Sequence, residues 1–233
     1  GVPAVGFVGV APAASPRLYV IPKPGDEVYA LACAIVLACV AGADVVACAT
    51  YVEGVTSPML ADALCFARRF GRGGRGTAVV LPTGREISSP PGMVYPSLSL
   101  DFGDPAADPR VYCVGPSGRG DDWFLWLRKS GRRHPFANRG PSLRWLAPGD
   151  DVPNPFAPHQ VAHAESSGAC AFAAGALLLV MSRQPTLQLS TVEAVVSATV
   201  RPMAVADVAR SELLPYGIDR DGHLDRAGRG VDH

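Results

Sequence analysis

The order of apolar segments predicts an α/β domain built on a mostly parallel sheet with helices on both faces. Three observations carry that expectation. Short apolar runs of strand length alternate with longer segments of helical period. The helical segments open and close on residues suited to helix ends. The 233 residues, 48% hydrophobic and 18% charged, suffice for one large domain, 1–233, with a buried core.

The elements follow in order. Residues 18–21 read as a short buried strand, ended by Pro22 and Pro24. Asp26 and Glu27 open a helix running to about Val40, where their charge favours its positive end, and Gly42 closes it. Residues 44–49 form the next strand. Thr56 or Ser57 caps the following helix and Pro58 suits its first position. Met59, Leu60, Ala63, Leu64, Ala67 and Phe70 recur at three- and four-residue steps and make one apolar face. Arg68 and Arg69 occupy its last turn and Gly71 stops it. The Gly/Arg-rich stretch 71–76 reads as a flexible surface turn. It follows a helix and precedes a strand, the reverse of a phosphate cradle.

Residues 77–81 and 111–114 are buried strands, with a Pro/Gly/Ser-rich loop over 87–110 between them. A further strand over 143–146 ends in Ala147-Pro148-Gly149. An apolar helix over 167–182 comes next. Ser190 then opens a last helix, with Glu193 three residues on as a capping box. The Gly- and Asp-rich tail from Pro215 reads as a surface segment.

Bulk properties exclude several classes. The net charge is zero, so no basic face marks a nucleic-acid binder, and Arg132, Arg133 and His134 read as a solvated loop. The uncharged run 168–181 is shorter than the roughly 20 residues that span a bilayer. Six cysteines contain no C-x-x-C pair and no histidine at ligand spacing, which points to core thiols and no metal. No motif asks for a cofactor. Residues 115–120 follow a strand but lack the lysine of a phosphate-binding loop. Arg119-Gly120-Asp121 reads as chance, and Trp123, Phe124 and Trp126 as local packing within an insertion, with a partner-binding patch as the alternative.

Three segments carry a family resemblance. Glu165-Ser166-Ser167-Gly168-Ala169-Cys170-Ala171-Phe172-Ala173-Ala174-Gly175 opens the long apolar helix. Gly9-Val10-Ala11-Pro12-Ala13-Ala14 precedes the first strand. Pro135-Phe136-Ala137-Asn138-Arg139-Gly140-Pro141 is followed by Ala147-Pro148-Gly149. In this order and spacing they resemble the subtilase family of serine peptidases. Its members have Gly-Thr-Ser-Met-Ala-x-Pro-His-Val-Ala-Gly, Gly-Val-Ala-Pro-x-Ala, Ser-Phe-Ser-x-x-Gly-Pro and Ala-Pro-Gly in the matching places. The resemblance implies a subtilisin-like three-layer fold and peptide-bond hydrolysis through an acyl-enzyme. It puts Ser167 at the nucleophile and Gly175 at the helix-packing glycine.

A serine nucleophile needs a base, a carboxylate to orient the base, and donors for the oxyanion. The family's Asp and His motifs precede the Gly-Val-Ala-Pro segment, and neither occurs in this sequence. Where the family has Gly-Asn as oxyanion donor, Gly84-Arg85 stands here. The substrate-binding edge, Ser-Leu-Gly-Gly in the family, is Ala49-Thr50-Tyr51-Val52, whose Tyr51 and Val52 would tend to fill the pocket. Glu165, Ser166, Ala171 and Phe172 replace Gly, Thr, Pro and His of the nucleophile motif. The expectation is a catalytically degenerate domain that binds a peptide or protein segment. The alternative is the nucleophile-bearing part of an active subtilase, with Asp and His upstream of Gly1.

Overall fold

The computed structural model describes residues 9–20, 26–50, 52, 56–84, 104–117, 125–127, 133–135, 138, 142–149, 152–153, 161–162 and 165–200. In chain order the elements are α1 (Glu27–Val40), β1 (Val45–Ala47), α2 (Pro58–Gly74), β2 (Ala78–Pro82) and a 3-10 turn (Pro105–Ala107). Then come β3 (Tyr112–Ser117), β4 (Leu125–Leu127), β5 (Arg133–Pro135), β6 (Leu143–Pro148), β7 (Val152–Pro153), β8 (Val161–Ala162), α3 (Glu165–Arg183) and α4 (Leu189–Thr199). Four strands pair in the order β1-β2-β3-β6, every pair parallel. β4 with β5, and β7 with β8, form short antiparallel ribbons.

Alternation along the central strands explains the three layers. Successive side chains of a strand face opposite sides. Val79, Leu81, Val111 and Cys113 join one buried cluster with Leu31, Ile35, Leu60 and Leu64 of α1 and α2. Ala78, Val80, Tyr112 and Val114 join the other, with Cys170, Leu177, Val192 and Val196 of α3 and α4. Covered on both faces, β2 and β3 are buried along their whole length, as expected of a parallel sheet.

The helix ends follow their local chemistry. Asp26 caps α1 by accepting the Tyr29 N–H at 2.9 Å, and Ser57 caps α2 by accepting the Leu60 N–H at 3.2 Å. Gly42, at φ +80°, ends α1 by donating to the Cys39 carbonyl.

Four expectations are overturned in whole or in part. Arg133 and His134, expected in a loop, lie in β5 and pair with β4. Residues 18–20 form no strand, and Leu18 and Val20 are 91% and 82% exposed. A strand needs a ladder partner and a covered face, and this stretch has neither among the described residues. The 71–76 segment is a surface turn only in part, with Gly73 and Gly74 exposed. Gly71 does break the helix, but Arg72 folds back at φ +53° and is buried, as are Gly76 and Thr77. Finally, α4 starts at Leu189, with Gln188 at its cap position and no side-chain cap. Glu193 accepts instead from Arg144 at 2.8 Å, and from Arg68 and Tyr112 at 3.3 Å each. Two guanidiniums outbid a neutral backbone N–H for a carboxylate, because charge-assisted hydrogen bonds are roughly twice as strong.

α3 is longer than the expected 167–182 helix. At 19 residues with a mean hydropathy of 1.4 it could cross a membrane by length and composition alone. Here it is a core helix, contributing Ala169, Cys170, Ala173, Ala174, Leu177 and Met181 to the cluster under the sheet. All six cysteines are free thiols.

Candidate active site at the carboxyl ends of the parallel strands

In open parallel sheets the ligand crevice lies outside the carboxyl ends of the strands. Of the sequence-derived site residues, Ala49, Thr50 and Gly84 lie there. Ala49 and Thr50 follow β1, Thr83 and Gly84 follow β2, and Gly149 follows β6. The loop ends and the start of α3 are tied by backbone hydrogen bonds. Thr83 N–H donates to the Val114 carbonyl at 2.9 Å, Gly149 N–H to that of Ser117 at 3.1 Å, and Glu165 N–H to that of Gly149 at 2.8 Å. Ser167 thus starts α3 beside the strand ends. One turn on, the Cys170 thiol points at the Val80 and Cys48 carbonyls, at 3.5 and 3.6 Å.

The glycines of the resembling motifs have steric reasons. A Cβ on Gly175 would lie 2.7 Å from Val10 Cβ, so this glycine lets the Gly9-Val10 segment lie against α3. Gly84 takes φ +70°. Its carbonyl accepts the backbone N–H of Asn138 at 3.0 Å, which brings Asn138 to the end of β2.

The other predicted residues separate. Ala49 is exposed and Thr50 half-buried. Val52, 3% exposed, belongs to the core cluster beneath α1 and α2, so its side chain serves packing there. Tyr51 and Arg85 lie outside the described residues. Ser167 is half-buried, and no hydrogen bond links it to an acid or base among the described residues. Of the histidines only His134 is described, as part of β5. No group of three His, Cys, Asp or Glu side chains could hold a metal ion among the described residues. Cys170 offers no substitute nucleophile. Burial first, then the neighbouring Cys48, pushes its pKa up to about 12 and keeps it a neutral thiol at pH 7.

Glu165 is the unexpected feature. It adopts φ +54°, a left-handed conformation that costs a residue with a Cβ roughly 1–2 kcal/mol. Glycine stands here in the resembling motif, so the backbone has kept a glycine's shape while the side chain has become a carboxylate. Glu165→Gly should therefore be more stable than Glu165→Ala by about 1 kcal/mol, the reverse of the ordinary helix order. Urea unfolding of the two variants measures this. An alanine variant as stable as the glycine one would show that the backbone is not strained.

The contact between Asn138 and Gly84 was not foreseen in the sequence, because the two lie more than fifty residues apart. Membership of Asn138 in the Phe136-Ala137-Asn138-Arg139-Gly140-Pro141 motif was the available signal.

No family model matches the chain, and no curated protein matches its sequence. Solved structures match its fold. The serine protease MycP1, described as an essential component of the type VII (ESX-1) secretion system, superposes with a TM-score of 0.58 at 20% identity. That match covers 88% of this chain and 64% of MycP1. The PatG macrocyclase domain gives 0.55 at 22% identity, covering 78% of this chain and 51% of PatG. The prenylagaramide maturation protease PagA gives 0.53 at 19%, covering 77% and 60%. The chain thus spans less than two thirds of each of these structures. The fold is that of the subtilisin-like serine proteases. At 19–22% identity these matches establish the architecture.

Proposed function

We propose that this domain has lost peptide-bond hydrolysis and holds a peptide or protein segment along the carboxyl ends of its parallel strands. One observation carries the reading: Glu165 occupies a glycine's left-handed position two residues before Ser167. A carboxylate there sets negative charge beside the place where an acyl-transfer oxyanion develops, and preorganised positive ends of dipoles are what such a site needs. The replacement of the family's Gly-Asn by Gly84-Arg85 supports the same reading, since losing one oxyanion donor lowers rates by about 100- to 1,000-fold. The ends of β1 and β2, with Ala49, Thr50 and Gly84, are where a bound segment would lie.

A fluorophosphonate probe tests this directly, because it phosphonylates only a serine with a working base. The expected result is no adduct on Ser167, either in this chain or in one extended at its N-terminus. An adduct that disappears in Ser167→Ala would overturn the reading. Labelling confined to the extended chain would establish the alternative, a nucleophile-bearing part of an active peptidase.

A further inference from the structure

We propose that the outer face of α1 and α2 is a self-association surface, on which a second copy of this chain packs antiparallel across a two-fold axis. From Val28 to Val40, α1 carries no charged residue. A helix that is apolar all round belongs in a covered position. Its inner side is covered, with Leu31 and Ile35 in the core, but Tyr29, Leu37 and Val40 are 55%, 57% and 74% exposed. Met59 and Phe70 of α2 are 37% and 63% exposed on the same side. Half of the large apolar side chains exposed among the described residues thus lie on one face. Between the two helices runs an apolar groove of about 500 Å³, with Ala32 and Ala63 at its floor and Cys33, Val36, Met59 and Phe66 in its walls. Single exposed apolar side chains need no account, but a contiguous patch marks an interaction site.

Charge and spacing choose the occupant. α1 and α2 each lead back to the start of the next parallel strand, β1 and β2, so the two helices point the same way. The exposed acids Asp26 and Asp62 stand toward the helix starts, and the exposed Arg69 stands toward the end of α2. A copy turned antiparallel brings the Asp62 end of one α2 to the Arg69 end of the other, twice over, and sets the helix dipoles head to tail. A copy turned parallel would bring acidic ends together. The apolar spacing fits the same dyad. Tyr29, Cys33, Val36 and Val40 recur at steps of four, three and four, the seam of paired helices. That series reads the same from either end, so an antiparallel partner sets Tyr29 opposite Val40 and Cys33 opposite Val36. Self-complementarity of this kind is what an isologous contact requires.

Sedimentation velocity of the whole chain tests this, with Leu37→Glu, Asp62→Arg, Arg69→Asp and the double charge swap. The wild type should form a dimer that dissociates in the micromolar range. Leu37→Glu should weaken the dimer about 100-fold or more, because each interface loses two leucines. Compared at a dilution where both are monomers, its melting temperature should stay within about 2 °C of the wild type, as expected for an exposed position. Each charge reversal should weaken the dimer about 3- to 10-fold, and the double swap should restore it to within about threefold. Such restoration separates a specific antiparallel contact from apolar stickiness. A short bismaleimide should join two chains through Cys33, and Cys33→Ser should abolish the product. A chain that stays monomeric through the upper micromolar range would overturn the proposal. Dimers indifferent to Leu37→Glu would also overturn it, since they would use another surface. Charge reversals that do not rescue each other would sink the antiparallel arrangement. A monomer whose Cys33 resists maleimide would show that another segment of the same chain covers this face.

Discussion

Arg72→Met should lower stability by about 3–5 kcal/mol, a drop of roughly 10 °C in melting temperature for a chain of this size. The Arg72 side chain is almost wholly enclosed, at 2% exposure. Its guanidinium donates to Asp44 Oδ1 at 2.9 Å and to the carbonyls of Pro185, Leu187 and Gly76 at 3.0, 3.2 and 3.4 Å. One side chain thereby ties the end of α2 to the turn before β1 and to the α3–α4 connection. Methionine preserves the apolar stem and leaves three carbonyls without their donor, each a desolvation loss of about 1–3 kcal/mol if it stays dry. Lysine restores the charge but not the fork, and should recover less than half of the loss. Asp44→Asn is the control. The Asp44 side chain is 54% exposed, so water screens its ion pair and the change should cost under 1 kcal/mol. Thermal and urea unfolding decide. A methionine variant within 1 kcal/mol of wild type, or an asparagine variant as damaging as the methionine one, would mean that the carbonyl latch contributes little.

Gly149→Ala should cost about 3 kcal/mol although it adds a single methyl group. The new Cβ would overlap that of Pro116 and come within 2.7 Å of the Glu165 carbonyl oxygen. Neither neighbour is the free end of a flexible side chain. The backbone must move, and overpacking of this kind typically costs 1–3 kcal/mol. Gly149 also holds both the Ser117 carbonyl and the Glu165 N–H, so the displacement travels into the first turn of α3, where Ser167 sits. Pro116→Ala leaves the proline's Cβ in place, so it should rescue little. Pro116→Gly removes that Cβ and should recover about 1 kcal/mol, visible as coupling in a double-mutant cycle. A Gly149→Ala variant that melts with the wild type would show that the end of β6 can yield, and that close packing there does not set the position of α3.

These two sites mark the boundary between what was legible in the sequence and what was not. The layers were legible. Val79 and Leu81 against Ala78 and Val80 state the two faces of β2, and the spacing of Leu60, Ala63, Leu64 and Ala67 states the buried side of α2. Helix starts at Asp26 and Ser57 were legible for the same local reason, a side-chain oxygen three residues before the N–H it accepts. The motif around Ser167, and its order relative to Gly9-Val10 and Ala147-Pro148-Gly149, pointed to the subtilisin-like fold that the solved structures bear out.

Local rules failed where a distant group competed. Ser190 and Glu193 have the spacing of a capping box, but Arg68 and Arg144 approach Glu193 from α2 and β6 and take the carboxylate. The 71–76 stretch has the composition of a surface turn. The burial of Arg72 within it depends on carbonyls from residues 185 and 187, more than a hundred positions away. Residues 18–20 have strand-forming side chains, but a strand is a property of a pair.

By itself, then, the sequence determined the α/β class, the faces of the helices and strands, the caps of α1 and α2 and the divergence of the nucleophile motif. All of these depend on periodicity, on neighbours within four residues, or on residue identity. The tertiary structure alone decided that Asn138 meets Gly84, that Arg72 is a buried latch, that Val52 is core, and that Glu165 keeps a glycine's backbone. Each of those depends on distances or dihedral angles set by chain segments far apart in sequence, which no local pattern encodes.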